Sequence, residues 1–547
     1  MAYGFFRYVF SRITRISRST RDDISAENRL ISPKYRSECI FWGNLKPIVS
    51  QIYPKSPFLW YNMRQPLRGN AKMIGRTEEM RQLRRAYESG NSEFVAVYGR
   101  RRIGKTYLVN EVFHNSFSFH AVGMEKGSKH EQLTAFREEL KNQGWEDCPK
   151  LTSWIVAFSE LSKMLEKRHE SRKVVFLDEL PWFDTPCSGF LPAFEHFWNG
   201  WACLRKDVLL VICGSATTWI VNKVLRSRGG LHNRITCQIP LKPFTLRECE
   251  EYASYKKLGF TRAQIVECYM AVGGVAYYWS LLQDGMSVAQ NFDRLFFGEQ
   301  DEMRLEFGRV FASLFKSPTP HMAIVRALGK RKCGMTRNDI LHSTGMTSSK
   351  DTTECLAELV QCGFLRYYHS IDKAKSGGIY QLIDPYCLFY FDFIEPWHGD
   401  DAHHWSRNYN SPRVNSWRGR AFERVCFWHI PQIKVRLGIS GIEANVYSWR
   451  GKTTGAESDA AQIDMLIDRA DGVIDICEIK YSAAPYELGK EEDTKIVRRI
   501  ETFRKISHTR KSIRCVLISA SGLKPSKYSG NVMATVSSND LFAEVSE

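Results

Sequence analysis

The chain has 547 residues, of which 43% are hydrophobic and 25% are charged. This balance excludes a disordered protein for most of the chain, and the length predicts roughly two to four domains. The formal net charge of +17 favours a polyanionic partner, DNA above all, although solvated Lys and Arg faces would give the same balance.

Cysteine usage and hydropathy indicate the compartment. The 15 cysteines stand singly, without a C-x-x-C pair, so neither a zinc ribbon nor a disulfide framework is predicted. No apolar run reaches the roughly 18 residues that a membrane-spanning helix needs. We therefore expect a cytoplasmic protein without membrane insertion.

The amino terminus is basic and contains aromatic residues. Its first 21 residues carry no acid and five arginines, which are Arg7, Arg12, Arg15, Arg18 and Arg21. This pattern is typical of a transit peptide or a membrane-surface helix. An alternative is that translation starts downstream, at Met63 or Met73. Residues 1–70 are treated as an amino-terminal extension and receive no function.

The next region alternates strands and helices. Ile74–Arg76 reads as a turn that precedes an amphipathic helix, and Phe94–Tyr98 is a short apolar strand. Two further buried strands are predicted at Val174–Leu177 and Val208–Ile212. Buried strands of this kind favour a mostly parallel sheet covered on both faces, with ligands at the carboxyl ends of its strands.

A glycine-rich loop follows the first strand and opens a helix. Its residues are Gly99, Arg100, Arg101, Arg102, Ile103, Gly104, Lys105 and Thr106. They fit the P-loop pattern, in which backbone N–H groups and the helix N-terminus bind phosphates. Lys105 is expected to reach the β- and γ-phosphates, and Thr106 to offer its hydroxyl to Mg²⁺. ATP and Mg²⁺ are the predicted cofactors.

Acidic and polar residues end the other two strands. Asp178 is expected to hold Mg²⁺ through water, and Glu179 to polarise the attacking water. Ser215 is a candidate sensor of the γ-phosphate, and Arg234 a candidate donor of charge to the transition state. Each of these residue types also occurs in helix caps, turns and exposed loops, which is the structural alternative.

The middle of the chain changes pattern twice. Residues 246–314 are helical in spacing, whereas residues 315–397 combine two short helices with two strand-like segments around the Gly377–Gly378 turn, as in a winged helix. DNA contact and simple packing against the ATPase are both open for this unit. The polar stretch 398–414 is predicted as a linker.

Two strands near the carboxy terminus carry acidic side chains. The segments Ile463–Ile467 and Val473–Lys480 are predicted to form a hairpin. Because side chains alternate along a strand, Glu478 and Lys480 project to one face, where Asp464 is expected to meet them.

Such a cluster is suited to phosphodiester cleavage. Asp464 and Glu478 would hold Mg²⁺, Glu423 would add a ligand, and Lys480 would orient water or stabilise the phosphate. Two alternatives stay open: a plain salt bridge between Lys480 and Glu478, and an inactive fold that binds DNA. The basic run Lys495–Arg499 likewise suits either a phosphate backbone or a solvated helix face.

These motifs together carry a family resemblance. The order of Ile74–Arg76, the P-loop, Asp178–Glu179, Cys213–Ser215 and Gly273–Gly274 resembles archaeal-type ATPases of the AAA+/STAND grouping. The resemblance implies an ATPase core, a helical lid and a winged helix. One departure concerns the lid, where Ala276 stands in place of the usual proline.

The carboxy-terminal unit resembles the DUF234-like, PD-(D/E)xK nuclease-like domain that is fused to such ATPases. Here Ile463 replaces the proline of the name. The combined reading is an α/β protein with an ATPase core at 71–245, a helical lid at 246–314, a winged helix at 315–397 and a restriction-endonuclease-like α/β domain at 415–547.

Two functions are consistent with this organisation. The first is an ATPase whose nucleotide state controls a DNA-binding or nuclease-like domain. The second is a STAND-like nucleotide switch or scaffold with a catalytically inactive nuclease fold. A homo-oligomer is possible in either case, with Arg234 acting within its own subunit or across an interface.

Overall fold

The computed structural model describes residues 73–215, 217–225, 229–231, 233–298, 302–331, 333–369, 377–451 and 462–545. The predicted extension at 1–70 lies outside the described residues. Within them the cysteines form no disulfide. No helix of the described ranges combines the length and the apolar character needed to cross a bilayer.

A parallel sheet forms the first part of the structure. Its strands lie in the order β2-β3-β4-β1-β5, and every neighbouring pair is parallel. The strands are β1 Glu93–Tyr98, β2 Phe119–Val122, β3 Lys173–Asp178, β4 Val208–Gly214 and β5 Cys237–Pro240. Phe94 and Ala96 face one apolar cluster, whereas Val95 and Val97 face another. The prediction of a parallel sheet covered on both faces is thus confirmed.

Helices cover these two faces. They are α1 Thr77–Glu88, α2 Lys105–Val112, α3 Lys129–Asn142, α4 Trp154–Glu166, α5 Phe190–Gly200 and α6 Thr217–Trp219. Between them lie the 3₁₀ helices Leu180–Trp182 and Ala202–Leu204 and the π-helix Ile220–Leu225. Because the strands are parallel, the carboxyl ends of β1, β3 and β4 lie at one edge of the sheet, as expected for a ligand site.

The region after β5 is helical, as predicted. It contains α7 Leu246–Tyr255, α8 Arg262–Val272, α9 Ala276–Ser280, α10 Val288–Phe292, the π-helix Asp293–Phe297 and α11 Glu306–Leu314. Gly273 has φ +60°, and a Cβ on Gly274 would lie 1.9 Å from the carbonyl oxygen of Phe244. The chain can make this close approach only with glycine.

Three helices and a small sheet come next. They are α12 Pro318–Gly329, α13 Arg337–Thr344, α14 Lys350–Gln361, β6 Met335–Thr336, β7 Leu365–Tyr368 and β8 Ile379–Leu382. The sheet order is β6-β8-β7, with antiparallel neighbours. The two strands flanking Gly377–Gly378 are therefore present where the sequence predicts them. Helix α15 Pro385–Phe389 and the π-helix Tyr390–Ile394 follow.

The carboxy-terminal part contains a mixed sheet in the order β15-β13-β11-β10-β9. Its strands are β9 Ala444–Arg450, β10 Gln462–Arg469, β11 Val473–Lys480, β13 Ser512–Ser519 and β15 Val532–Ser537. A second sheet pairs β12 Tyr486–Glu487 with β14 Leu523–Lys524. The antiparallel pairing of β10 with β11 confirms the predicted hairpin, while β11, β13 and β15 run parallel.

Helices and a continuous core join this sheet to the rest. The helices are α16 His404–Asn408, α17 Pro412–Trp428, α18 Ile430–Arg436 and α19 Lys490–Ser507, with 3₁₀ helices at Ser529–Asn531 and Ser538–Phe542. One apolar cluster extends from Phe244 to Phe542. Residues 398–414, predicted as a linker, contain α16, and its Trp405 is only 1% exposed within this cluster.

Candidate functional site

The loop between β1 and α2 has the backbone that the P-loop pattern requires. Gly99 has φ +149°, and a Cβ there would lie 2.3 Å from the carbonyl oxygen of Leu241. Gly104 has φ +93° and is the N-cap of α2, while Arg102 also has a positive φ, of 70°. Glycine at both ends lets the loop turn tightly from the strand into the helix.

Lys105 lies inside this loop. It is only 5% exposed, and its Nζ donates to the carbonyl oxygens of Gly99 at 3.0 Å and Arg100 at 2.8 Å. These neutral acceptors hold the ammonium group beside the loop without cancelling its charge. The buried Ile103, whose carbonyl accepts from Arg76 at 3.4 Å, anchors the middle of the loop.

Asp178 lies at the end of β3 opposite the loop. Its Oδ2 accepts from the Thr106 hydroxyl at 2.8 Å, and its Oδ1 accepts from the Glu179 N–H at 2.9 Å. Burial, and then the charge of Glu179, raises the pKa of this carboxyl to about 6. Cys213, on β4, also hydrogen-bonds Asp178, and its thiol pKa is raised by burial.

Glu179 is oriented by Ser215 on the neighbouring strand end. Its Oε2 accepts from the Ser215 N–H at 3.0 Å and from the Ser215 hydroxyl at 2.9 Å. Glu179 adopts φ +47°, a left-handed conformation that is uncommon for a residue with a side chain. Ser215 is completely buried, and in this structure it holds Glu179 at the sheet edge.

The loop arginines contact residues far away in sequence. Arg100 is 5% exposed and forms a buried ion pair with Asp384, the N-cap of α15. Burial alone would lower the pKa of Arg100, but the charge of Asp384, that of Tyr278 and the hydrogen bond to Asp384 together raise it. Arg102 pairs with the buried Glu306 at 2.9 Å. Arg101 lies over the ring of Trp182, 5.9 Å from its centroid.

The contacts of the loop can be compared with the site residues that the sequence predicts. The sequence does not predict Asp384 or Glu306 as site residues, because a single acid at the start of an apolar helix belongs to no motif. Burial of their charges requires partners, and only the structure shows this burial. Arg234 is exposed, and its N–H donates to Leu231. Among the described residues its guanidinium forms no hydrogen bond or ion pair with the loop, so its role stays a prediction.

The donor set fits a nucleotide and Mg²⁺. Backbone N–H groups at the start of α2 and the Lys105 ammonium suit phosphate oxygens, and the Thr106 hydroxyl and Asp178 carboxylate suit a hard cation. A bound Mg²⁺ would neutralise charge on the β- and γ-phosphates. The chain itself contributes the positioned Glu179, which can accept a proton from water.

The carboxy-terminal carboxylates lie in a different electrostatic environment. Glu478 is 6% exposed and contacts two cations, Lys480 at 2.8 Å and Arg499 of α19. Burial would raise the pKa of Glu478, but Lys480 and Arg499 outweigh it and lower the pKa. Asp464 lies near enough for its charge to raise the pKa values of both cations.

The predicted third acid lies on α17. Glu423 is 5% exposed and lies 3.7 Å from Nη1 of Arg424. In the described residues Asp464, Glu478 and Glu423 do not form a group whose ligand oxygens all lie within 4.8 Å of one another. The sequence placed Arg499 in a basic run suited to a phosphate backbone or a solvated face and did not predict its contact with Glu478. The buried Ile496 and Phe503 place Arg499 beside the sheet-facing side of α19.

Comparison with known proteins defines the class of the first part. Residues 73–282 match the family described as an ATPase domain predominantly from Archaea. This range contains the glycine-rich loop, Asp178, Glu179 and Ser215, and we therefore assign it as a P-loop ATPase domain. The matched range covers less than half of the chain.

Individual relatives are distant. An uncharacterised protein of Methanocaldococcus jannaschii is 24% identical over 339 residues, which are 59% of this chain and 69% of that protein. The Walker-type ATPase of Pyrococcus abyssi is 17% identical, with a TM-score of 0.43 over 60% of this chain and 99% of the other. The ORC2 protein of Aeropyrum pernix is 13% identical, with a TM-score of 0.36 over 60% and 96%.

Proposed function

We propose that this protein is an ATPase whose nucleotide state controls a carboxy-terminal domain that acts on DNA. The observation that carries the proposal is the buried ion pair between Arg100, in the phosphate-binding loop, and Asp384, at the start of α15. It connects the nucleotide site directly to the region between the small sheet and the carboxy-terminal part.

The same contacts give a route for the coupling. Lys105 donates to the carbonyl of Arg100, and a phosphate that attracts the Lys105 ammonium competes with that bond. Asp384 in turn accepts from the Cys387 N–H at 2.8 Å and so caps α15. Helix α15 packs against α8 and α17, and α17 in turn contacts β11 of the carboxy-terminal sheet. A change at the loop therefore has a continuous packed path to that sheet.

Several features support DNA as the partner. The net charge is +17, and helices α12 to α14 with strands β6 to β8 have the element order of a winged helix. A salt titration tests this: counterion release predicts that log affinity for duplex DNA falls linearly with log salt concentration. Salt-independent binding, or none, would contradict DNA as the partner.

Cleavage of that DNA is the finer part of the proposal. Asp464 and Glu478 would hold Mg²⁺, and Lys480 would stabilise charge on the phosphate. We expect Asp464→Ala and Lys480→Ala to abolish Mg²⁺-dependent cleavage while ATP turnover is retained. Unchanged cleavage in both variants would refute the site.

The second candidate is a nucleotide switch with an inactive nuclease fold. It is favoured by one observation: Glu478 already has two cationic partners, Lys480 and Arg499. If the wild type cleaves no DNA substrate under conditions where it hydrolyses ATP, this alternative is the better description.

Replacing Asp384 tests the coupling itself. In Asp384→Asn we expect basal ATP turnover to persist while its stimulation by DNA is lost, because Arg100 no longer pairs with α15. Glu395→Gln, which breaks the exposed Arg326–Glu395 pair, is the matched control and should keep the stimulation. Full DNA stimulation in a folded Asp384→Asn protein would refute the proposed route.

A further inference from the structure

Helices α12 and α14 bring three metal-binding side chains together. The Nε2 or Nδ1 atom of His321, the Sγ of Cys355 and a carboxylate oxygen of Glu358 all lie within 4.8 Å of one another. Cys355 and Glu358 are three residues apart and therefore share one face of α14, which packs against α12. Such a group of three is found in the described residues only here.

The hydrogen bonds of His321 fix which nitrogen faces the group. Nδ1 lies 3.0 Å from the carbonyl oxygen of Ser317, which can only accept, so Nδ1 carries the proton. Nε2 then faces Glu358 Oε2 at 2.6 Å. A metal-binding histidine typically donates its other N–H to a carbonyl or carboxylate in this way. The ring also stacks on Phe315, with centroids 3.8 Å apart, and is 3% exposed.

The 2.6 Å contact needs a positive charge. A neutral Nε2 and a carboxylate oxygen are both acceptors, so a proton or a cation must lie between them. A proton would give a simple ion pair, whereas a cation between Nε2 and the carboxylate would also lie within reach of the adjacent Cys355 thiol. Imidazole, thiolate and carboxylate are together the ligands that zinc prefers in proteins.

We propose that His321, Cys355 and Glu358 bind a zinc ion. The ligands would be His321 Nε2, the Cys355 thiolate and the Glu358 carboxylate, and binding would release the thiol proton to solvent. The Glu358 side chain is 29% exposed, so the ion has a route from solvent and water can take the fourth position. The zinc would link α12 to α14, apart from the ATP site and the carboxy-terminal carboxylates.

Cobalt provides a direct test because a Co²⁺–thiolate bond gives a charge-transfer absorption band that carboxylates and imidazoles do not. The full chain, freed of metal with EDTA and kept free of nucleotide, is titrated with Co²⁺. We expect the band in the wild type, its loss in Cys355→Ser, and its displacement by Zn²⁺. The matched control is Cys362→Ser, which changes another buried thiol at the end of the same helix and should keep the band.

A second variant separates ligand loss from misfolding. Glu358 is partly exposed, so Glu358→Gln is expected to fold, which circular dichroism verifies, and to weaken Zn²⁺ binding at least about tenfold. Absence of the band in the wild type, its persistence in Cys355→Ser, or unchanged affinity in a folded Glu358→Gln protein would each overturn the zinc site.

Discussion

Asp178 and Glu478 are both buried strand carboxylates, with exposures of 3% and 6%, yet their environments are opposite. Asp178 accepts from a hydroxyl and a backbone N–H, and burial, followed by the charge of Glu179, raises its pKa. Burial also disfavours the charged form of Glu478, but Lys480 and Arg499 lower its pKa overall. Burial acts to raise the pKa of both carboxyls, and the neighbouring cations reverse the sign only at Glu478.

This difference bears on what each site can bind. Burial makes the ionised form of Asp178 unfavourable, and a nearby cation would stabilise that form. This environment suits Asp178 to binding a magnesium ion. Glu478 has compensating cations already, so an added metal ion must compete with Lys480 and Arg499. A cation would therefore stabilise the proposed nucleotide site, whereas Lys480 and Arg499 already compensate the charge of Glu478.

The largest expected effect separates the two sites by activity. Lys105→Ala removes the ammonium group that we expect to reach the phosphates, and ATP turnover should fall by about 10²–10³-fold or more. Lys480→Ala should leave ATP turnover close to that of the wild type. A steady-state phosphate-release assay measures both.

The exposed Lys150 provides the control for Lys105, since Lys150→Ala changes the same residue type away from both sites. Normal turnover in Lys105→Ala would contradict the assignment of the glycine-rich loop as the phosphate site. A large loss in Lys480→Ala would show that the two sites are not independent.

The next effect concerns stability at the carboxy-terminal site. Glu478→Gln leaves Lys480 and Arg499 without their shared carboxylate, and we expect the free energy of unfolding to fall by about 2–3 kcal/mol at pH 7. The pKa of Glu478 is lowered in the folded protein, so its contribution is present above the ordinary value of 4.5 and is lost as the pH falls through the folded pKa. Urea unfolding at pH 7 and at acidic pH tests both statements; a variant as stable as the wild type would refute them.

The matching substitution at the nucleotide site should have the opposite sign. Without nucleotide, Asp178→Asn removes a charge that is costly to bury, and we expect the free energy of unfolding to rise by about 3 kcal/mol at pH 7. Because the pKa of Asp178 is raised from 3.8 to about 6, the gain should be absent below pH 4 and grow until pH 6. A variant that is less stable than the wild type at pH 7 would contradict this account. In a separate assay, the same variant should lose Mg²⁺-dependent ATP turnover.

The sequence predicted the neighbours of Asp178 more completely than those of Glu478. Thr106, Asp178 and Ser215 lie in contiguous motifs at strand ends, and parallel strands bring such ends to one edge, so their meeting followed from the pattern. The hairpin carrying Glu478 was predicted from two strand-like segments and the short turn between them. The partner Arg499 was not, because it comes from a helix whose rotation against the sheet depends on tertiary packing.

The same limit applies to the loop arginines. Arg100 and Asp384 are 284 residues apart, and neither lies in a periodic pattern that includes the other. Only packing of α15 beside the ATPase domain brings them together. Local motifs thus predicted which residues meet at the proposed nucleotide site, whereas the connection of that site to the remaining chain required the structure.

The smallest effect tests the orientation of Glu179. Ser215→Ala removes the hydroxyl bond to Glu179 but keeps the backbone N–H bond at 3.0 Å, so the carboxylate should lose part of its positioning. Loss of one such bond to a charged group corresponds to about 1.4 kcal/mol, or about tenfold in the rate of ATP hydrolysis. ATP affinity should stay near the wild-type value, because Lys105 and the loop are unchanged. If affinity falls and the rate per bound nucleotide does not, Ser215 acts on the phosphates directly, as a γ-phosphate sensor, and not through Glu179.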